Sequence, residues 1–203
     1  MRISIFVLVI LCSFSLHAQD TLTCGFETLF TIKPGMNKID VMDLVKKNYD
    51  AILVNSKMEK LPPYKGTGGD SILKEILSYK RDVAPCFRGT NTLLQLEFAD
   101  NKLFKAYIST EYPKSGYEDM MSNYNFLRGV IKKKWKYERG TKLSGGDIVG
   151  FGYDYANTKK PTNKTEQISL QYIEPVPNKP NSSYLLEMLW VNLKDTRMES
   201  SNY

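Results

Sequence analysis

Histidine is almost absent: the one imidazole in the 203 residues is His17, inside a stretch that reads as a leader. The chain beyond that leader is expected to carry none. Ser-His-Asp and Cys-His nucleophile pairs are thereby excluded, along with metal sites that depend on imidazole. Cysteine is scarce too: Cys12, Cys24 and Cys86 show no C-x-x-C spacing, so there is no thiolate redox motif. Past Leu16 no apolar run reaches the ~20 residues a membrane-crossing helix needs. Basic residues are scattered except for KKKWK at Lys132 to Lys136, which reads as a solvated helix end. A stripe of Lys and Arg interleaved with aromatics, as a nucleic-acid surface would require, is missing. No cofactor motif is present, and none of these absences leaves an obvious catalytic centre.

Arg2, the apolar run Ile3 to Leu16 and the small-residue site at Leu16-His17-Ala18 follow the order of a secretory signal. Residues 1–18 are therefore expected to be removed, giving a secreted or periplasmic chain starting at Gln19. Taking 18 residues from 203 leaves 185, enough for one domain with a real core. The formal net charge of +6 becomes +5 when Arg2 leaves, a modest excess that names no partner. Cys12 leaves with the signal, and the remaining pair, Cys24 and Cys86, is expected to form a disulfide in an oxidising compartment.

Two helices stand out. Pro34-Gly35 turns the chain, Asn37 is a candidate N-cap with Asp40 in the first turn, and Met36 and Val41 are placed to staple the entry. Val41, Leu44, Val45 and Tyr49 then form one apolar stripe. The second helix is signalled by a Ser115-x-x-Glu118 capping box and by Met120, Tyr124, Leu127, Ile131 and Trp135 at helical spacing. Gly129 within it is expected to mark close packing against a neighbour.

Between them, alternating Leu94, Leu96 and Phe98, a turn at Asp100-Asn101 and a return over Leu103 to Ile108 predict a β-hairpin. Ser71 to Lys80 fits both a strand face and a helix face, and the strand is preferred. Three more β-type runs after the second helix read as a meander, and residues 61–71 read as a long Pro- and Gly-rich loop. Aligning VMDLVKKNY at Val41 with LRGVIKKKW at Leu127 superimposes apolar positions and a Lys-Lys pair, which raises a tandem duplication. The expected architecture is α+β: an antiparallel sheet with two main helices packed on one face. It forms a single domain over 19–195, with halves 25–110 and 111–195, and a polar flexible tail over 196–203.

The pattern I-x-x-G-M-x-K-x-x-V-x-x-L at Ile32, Gly35, Met36, Lys38, Val41 and Leu44, followed by antiparallel strands, resembles the small lipoproteins of the outer-membrane barrel-assembly machine and the β-lactamase-inhibitor proteins. That resemblance implies a binding or assembly-support role without catalysis.

Two functions remain open from sequence. One is an exported, non-enzymatic module that contacts a protein, peptide or envelope polymer, with no cofactor, no metal and no nucleic acid. Its candidate surface is Phe151, Tyr153 and Tyr155, which alternate along one strand and are expected on the sheet's open face. The other is a histidine-independent carboxylate-pair hydrolase acting on glycan, for which the available acids are Glu97, Asp100, Glu166, Glu174 and Glu187. No spacing pairs those acids.

Overall fold

A computed structural model describes residues 32–33, 35–49, 51–61, 72–84, 87–135, 137–145, 148–156, 166–177 and 179–192. The expected leader, Cys24, Cys86, most of the loop over 61–71 and the tail over 196–203 lie outside the described residues. In chain order the elements are α1 (Lys38–Tyr49), β1 (Ile52–Leu61), β2 (Ile72–Ala84), β3 (Phe87–Ala99) and β4 (Lys102–Tyr112). Then follow α2 (Tyr117–Lys134), β5 (Tyr137–Gly145), β6 (Ile148–Ala156), β7 (Glu166–Ile173) and β8 (Tyr184–Asn192).

All eight strands join one antiparallel sheet in the order β1-β2-β3-β4-β8-β7-β6-β5. Each helix is thus followed by a four-stranded meander, and the two meanders meet where β4 pairs with β8. The β3–β4 hairpin turns at Asp100 and Asn101, both with positive φ (48° and 60°), the geometry in which two-residue loops match strand twist.

Pairing register assigns side chains to faces. Leu77 of β2 lies opposite Leu96, which faces Ala106; Ile108 faces Met188, which faces Leu170. These residues are buried and share one core cluster with Val41 and Val45 of α1 and Met120, Tyr124, Leu127 and Ile131 of α2. Alternation along each strand puts the intervening residues on the opposite face.

The stretch before α1 is an anchor. Gly35 N–H donates to Leu103 O (3.0 Å), Leu103 N–H to Met36 O (2.9 Å) and Lys38 N–H to Asn101 O (2.9 Å), so the chain runs beside the start of β4, ahead of the first β8 pair at Lys105, before turning into the helix. Gly35 adopts φ 78°, open to glycine at little cost. Asn37 occupies the cap position, its carbonyl accepting from Val41 N–H at 3.1 Å. Its side chain, however, accepts from Lys102 Nζ at 2.6 Å.

Two local expectations need correction. The Ser115/Glu118 capping box does not form: Lys114–Gly116 is a 3₁₀ turn closed by Gly116 N–H donating to Pro113 O (2.8 Å), and Gly116 caps α2 without a side-chain bond. Proline before the turn starts the winding early and moves Ser115 off the cap. Gly129 packs against nothing: a Cβ there would meet no atom within 4 Å.

Candidate functional site

Phe151, Tyr153 and Tyr155 lie on the core-bearing face, not the open one. Register places them opposite Tyr172, Leu170 and Ile168, and Tyr155 is fully buried. Tyr155 donates its hydroxyl to Glu138 Oε1 (3.1 Å), and the Tyr153 ring lies 6.4 Å from Tyr124 of α2 with the Arg128 guanidinium 3.8 Å from its centroid. Phe151 packs edge-on against Tyr153 at 5.1 Å. α2 carries Tyr124 and Arg128 onto this side of β6, so the three rings mainly fill the space beneath a helix.

The opposite face divides into two halves. Across β1 to β4 runs a ladder of alternating charge: Lys57 to Glu59 (2.6 Å), Glu59 to Lys74 (2.8 Å), Lys74 to Glu97 (3.3 Å) and Glu97 to Lys105 (3.0 Å). Lys74 and Glu97 are buried, so each relies on its partners in the ladder for its charge.

Across β4 to β8 the same face holds a groove of about 510 Å³, lined by Tyr107, Thr141, Asp154, Ser169, Gln171 and Glu187 among others, with Leu143 and Leu189 as apolar walls. Here carboxylates meet neutral donors. Glu187 accepts from the Tyr107 hydroxyl and from Gln171 Nε2 (2.7 Å); Asp154 accepts from Ser169 Oγ (2.5 Å) and Thr141 Oγ1 (3.2 Å). Among the described residues neither carboxylate has a cation within ion-pairing distance. Burial, reinforced by the Glu187 carboxylate, pushes the Tyr107 phenol far above its ordinary pKa, so it stays a protonated donor at neutral pH.

The groove owes its floor to glycine. A Cβ at Gly152 would come 2.7 Å from Gln171 Cβ and 2.9 Å from Leu170 O, and one at Gly150 would strike Tyr172 O at 2.2 Å. Only glycine lets β6 approach β7 this closely, and it leaves the face without side chains there.

Of the acids named from sequence, Glu187 alone lines the groove. Glu97 belongs to the charge ladder, Asp100 to the hairpin turn, Glu166 begins β7 and Glu174 is exposed just beyond that strand. Asp154 and Tyr107 went unnoticed. Their signal was alternation: Asp154 sits between Tyr153 and Tyr155, and Tyr107 between Ala106 and Ile108, each polar group on the face away from buried neighbours.

Asp154 lies directly opposite Ser169 and Glu187 opposite Gln171, so two strand spacings and one two-residue step separate the acids, about 12 Å between backbones. Among the described residues no cluster of His, Cys, Asp and Glu could hold a metal ion, and no helix is long and apolar enough to cross a membrane. Compared with known proteins, the chain matches no family model, no curated protein and no solved structure.

Proposed function

We propose that the protein is an exported, non-enzymatic binding or envelope-assembly module that contacts a protein, peptide or envelope polymer through the groove-bearing face of its sheet. The observation that carries this reading is the groove itself. Its polar groups are fixed in place by one another, and its two leucine walls offer apolar contact between them. Fixed donors and acceptors beside exposed apolar surface give recognition with little ordering cost on binding.

A hydrolase finds less support. Paired-carboxylate glycosidases hold their acids about 5 to 9.5 Å apart with a free path between them. Here β7 runs between Asp154 and Glu187, and both acids are already engaged by neighbouring side chains.

The same proposal includes the finer architecture: both helices cover one face, and the chain is a tandem duplication of a helix and four strands. The mirror-like strand order supports it. So do the aligned helix positions, because Val41 and Leu127, and likewise Val45 and Ile131, are all buried. A duplicated unit with its helices on one side leaves a wide opposite face, and that is where the groove lies.

The test is photocrosslinking in the native envelope, with a benzophenone amino acid in place of Leu189 in the groove or of exposed Phe126 on α2. Adducts are expected from position 189 and not from 126. Equal yields, or none from 189, would overturn the reading.

A further inference from the structure

Among the described residues, none covers the core-bearing face at its β1 end. α1 sits closest to β4, and α2 lies against β3, β4, β7 and β8. Register puts Leu53, Met58 and Leu73 on this face, opposite Tyr79, Glu75 and Lys60. They are 44%, 53% and 51% exposed, far more than the strand residues beneath the helices.

The nearest wall is the flank of α1. Lys38 reaches Glu75 at 2.7 Å, so the flank carrying Lys38 and Met42 is turned toward β2. Ile39, 72% exposed, stands on the rim of that flank. The result is an apolar trough between α1 and β1.

We propose that this trough is filled by the chain's own N-terminal segment, residues 21–31, through Leu22, Phe26, Leu29 and Phe30. The segment ends at the right place. Ile32 is buried in the core, and Gly35 is bonded to Leu103. Leu103, Phe98, Glu75 and Met58 form one cross-strand row, so Met58 lies three strand spacings from that anchor, about 14 Å. Six residues separate Phe26 from Ile32 and can span about 20 Å; with Phe26 there, Cys24 lies too far from the β2–β3 turn to bond Cys86, so this docking excludes the disulfide expected from the sequence.

The segment also has matching chemistry. Leu22, Phe26, Leu29 and Phe30 recur at i, i+4, i+7 and i+8, one apolar stripe set among Thr23, Glu27, Thr28 and Thr31. Being tethered, it meets the trough at high effective concentration, which favours it over a second molecule. The other route to cover, pairing of β1 with β1 of another copy, is opposed by the irregularity between Leu53 and Asn55, because an irregular edge resists strand addition.

The test uses the chain from Gln19 onward with a benzophenone amino acid replacing Met58, whose exposure makes the change tolerable. Irradiation is expected to give a link within one molecule, mapped by peptide mass to residues 21–31. A link to a second copy, a link to a different polypeptide, or no link each overturns the proposal. Independently, Leu73→Lys is expected to speed chymotryptic cleavage after Phe26 and Phe30 about tenfold, since it loosens the docked segment. Ile52→Lys, on the opposite face of the same edge, is expected to leave that rate unchanged. Equal rates in wild type and Leu73→Lys contradict docking.

Discussion

Glu97 and Lys74 show how much one residue can depend on its partner. Both are buried on a face that otherwise tends toward exposure, and they pair with each other and with Glu59 and Lys105 within the ladder. Glu97→Ala leaves the Lys74 ammonium buried with Glu59 alone, and is expected to cost about 3 kcal/mol. The double change Lys74→Met with Glu97→Leu should recover most of that loss, because the buried ammonium that lost its second carboxylate is gone as well. Urea unfolding of the wild type and the two variants measures it; a single variant as stable as wild type would contradict the coupling.

Carboxylates also set the acid side of the stability curve. Hydrogen bonds from Lys57 and Lys74 hold Glu59 down at about 2. For Glu138 burial pushes upward, but hydrogen bonds from Arg128, Lys132 and Tyr155 outweigh it, and the net position is below the ordinary carboxylate value. A carboxyl depressed by folding contributes stability above its unfolded value of 4.5 and loses it as pH falls, for Glu59 through about 2. The urea midpoint is therefore expected to drop between about pH 4.5 and pH 2. Glu138→Gln should flatten part of that drop, and an unchanged acid limb in the variant would contradict the role given to Glu138.

At the scale of elements, two glycines make opposite predictions. Gly152→Ala forces a Cβ against Gln171 Cβ and Leu170 O, and should destabilise by about 1 to 3 kcal/mol as β6 is pushed off β7. Gly129→Ala meets open space on a helix and should stabilise by about 1 kcal/mol. Thermal or urea midpoints moving in the same direction for both would contradict the packing described.

Most elements were legible because their apolar periodicity matched their burial. α2 shows Met120, Tyr124, Leu127 and Ile131 at helical spacing, and all four are buried. The β3–β4 hairpin was legible from alternation and its turn pair. β2 is a strand, with Leu77 and Tyr79 on the core-bearing face and Lys74 and Ile76 also buried on the other, which is why its sequence fits both periodicities.

β5 escaped notice because an edge strand need not be apolar: on the core-bearing side it offers Glu138, Gly140 and Lys142, and it is held by pairing with β6. β1 was obscured by three consecutive apolar residues, Ile52, Leu53 and Val54, where the register shifts. The site was less legible than the fold. Sequence drew attention to the aromatic positions of β6, whereas the groove is built from the polar residues between them and from strands distant in sequence. Alternation indicates that two sets of side chains face opposite ways; it does not indicate which set the helix covers.

At the scale of the whole molecule, one eight-stranded sheet presents two unlike surfaces. One bears the buried core residues of the strands, and the other carries a charge-paired half beside a groove of neutral donors and two carboxylates. The charged half is satisfied internally, and the groove half is the surface we propose meets an external partner.

The most direct test of that central claim is competition. Adduct formation by the chain carrying a photocrosslinker at position 189 is measured in envelope preparations with a large excess of unlabelled competitor. Wild-type competitor is expected to suppress the adduct about in proportion to its excess, whereas Leu189→Arg, folded to within about 2 °C of the wild-type Tm, should leave the adduct nearly unchanged. Equal suppression by the two competitors would contradict the claim that this groove is the binding site.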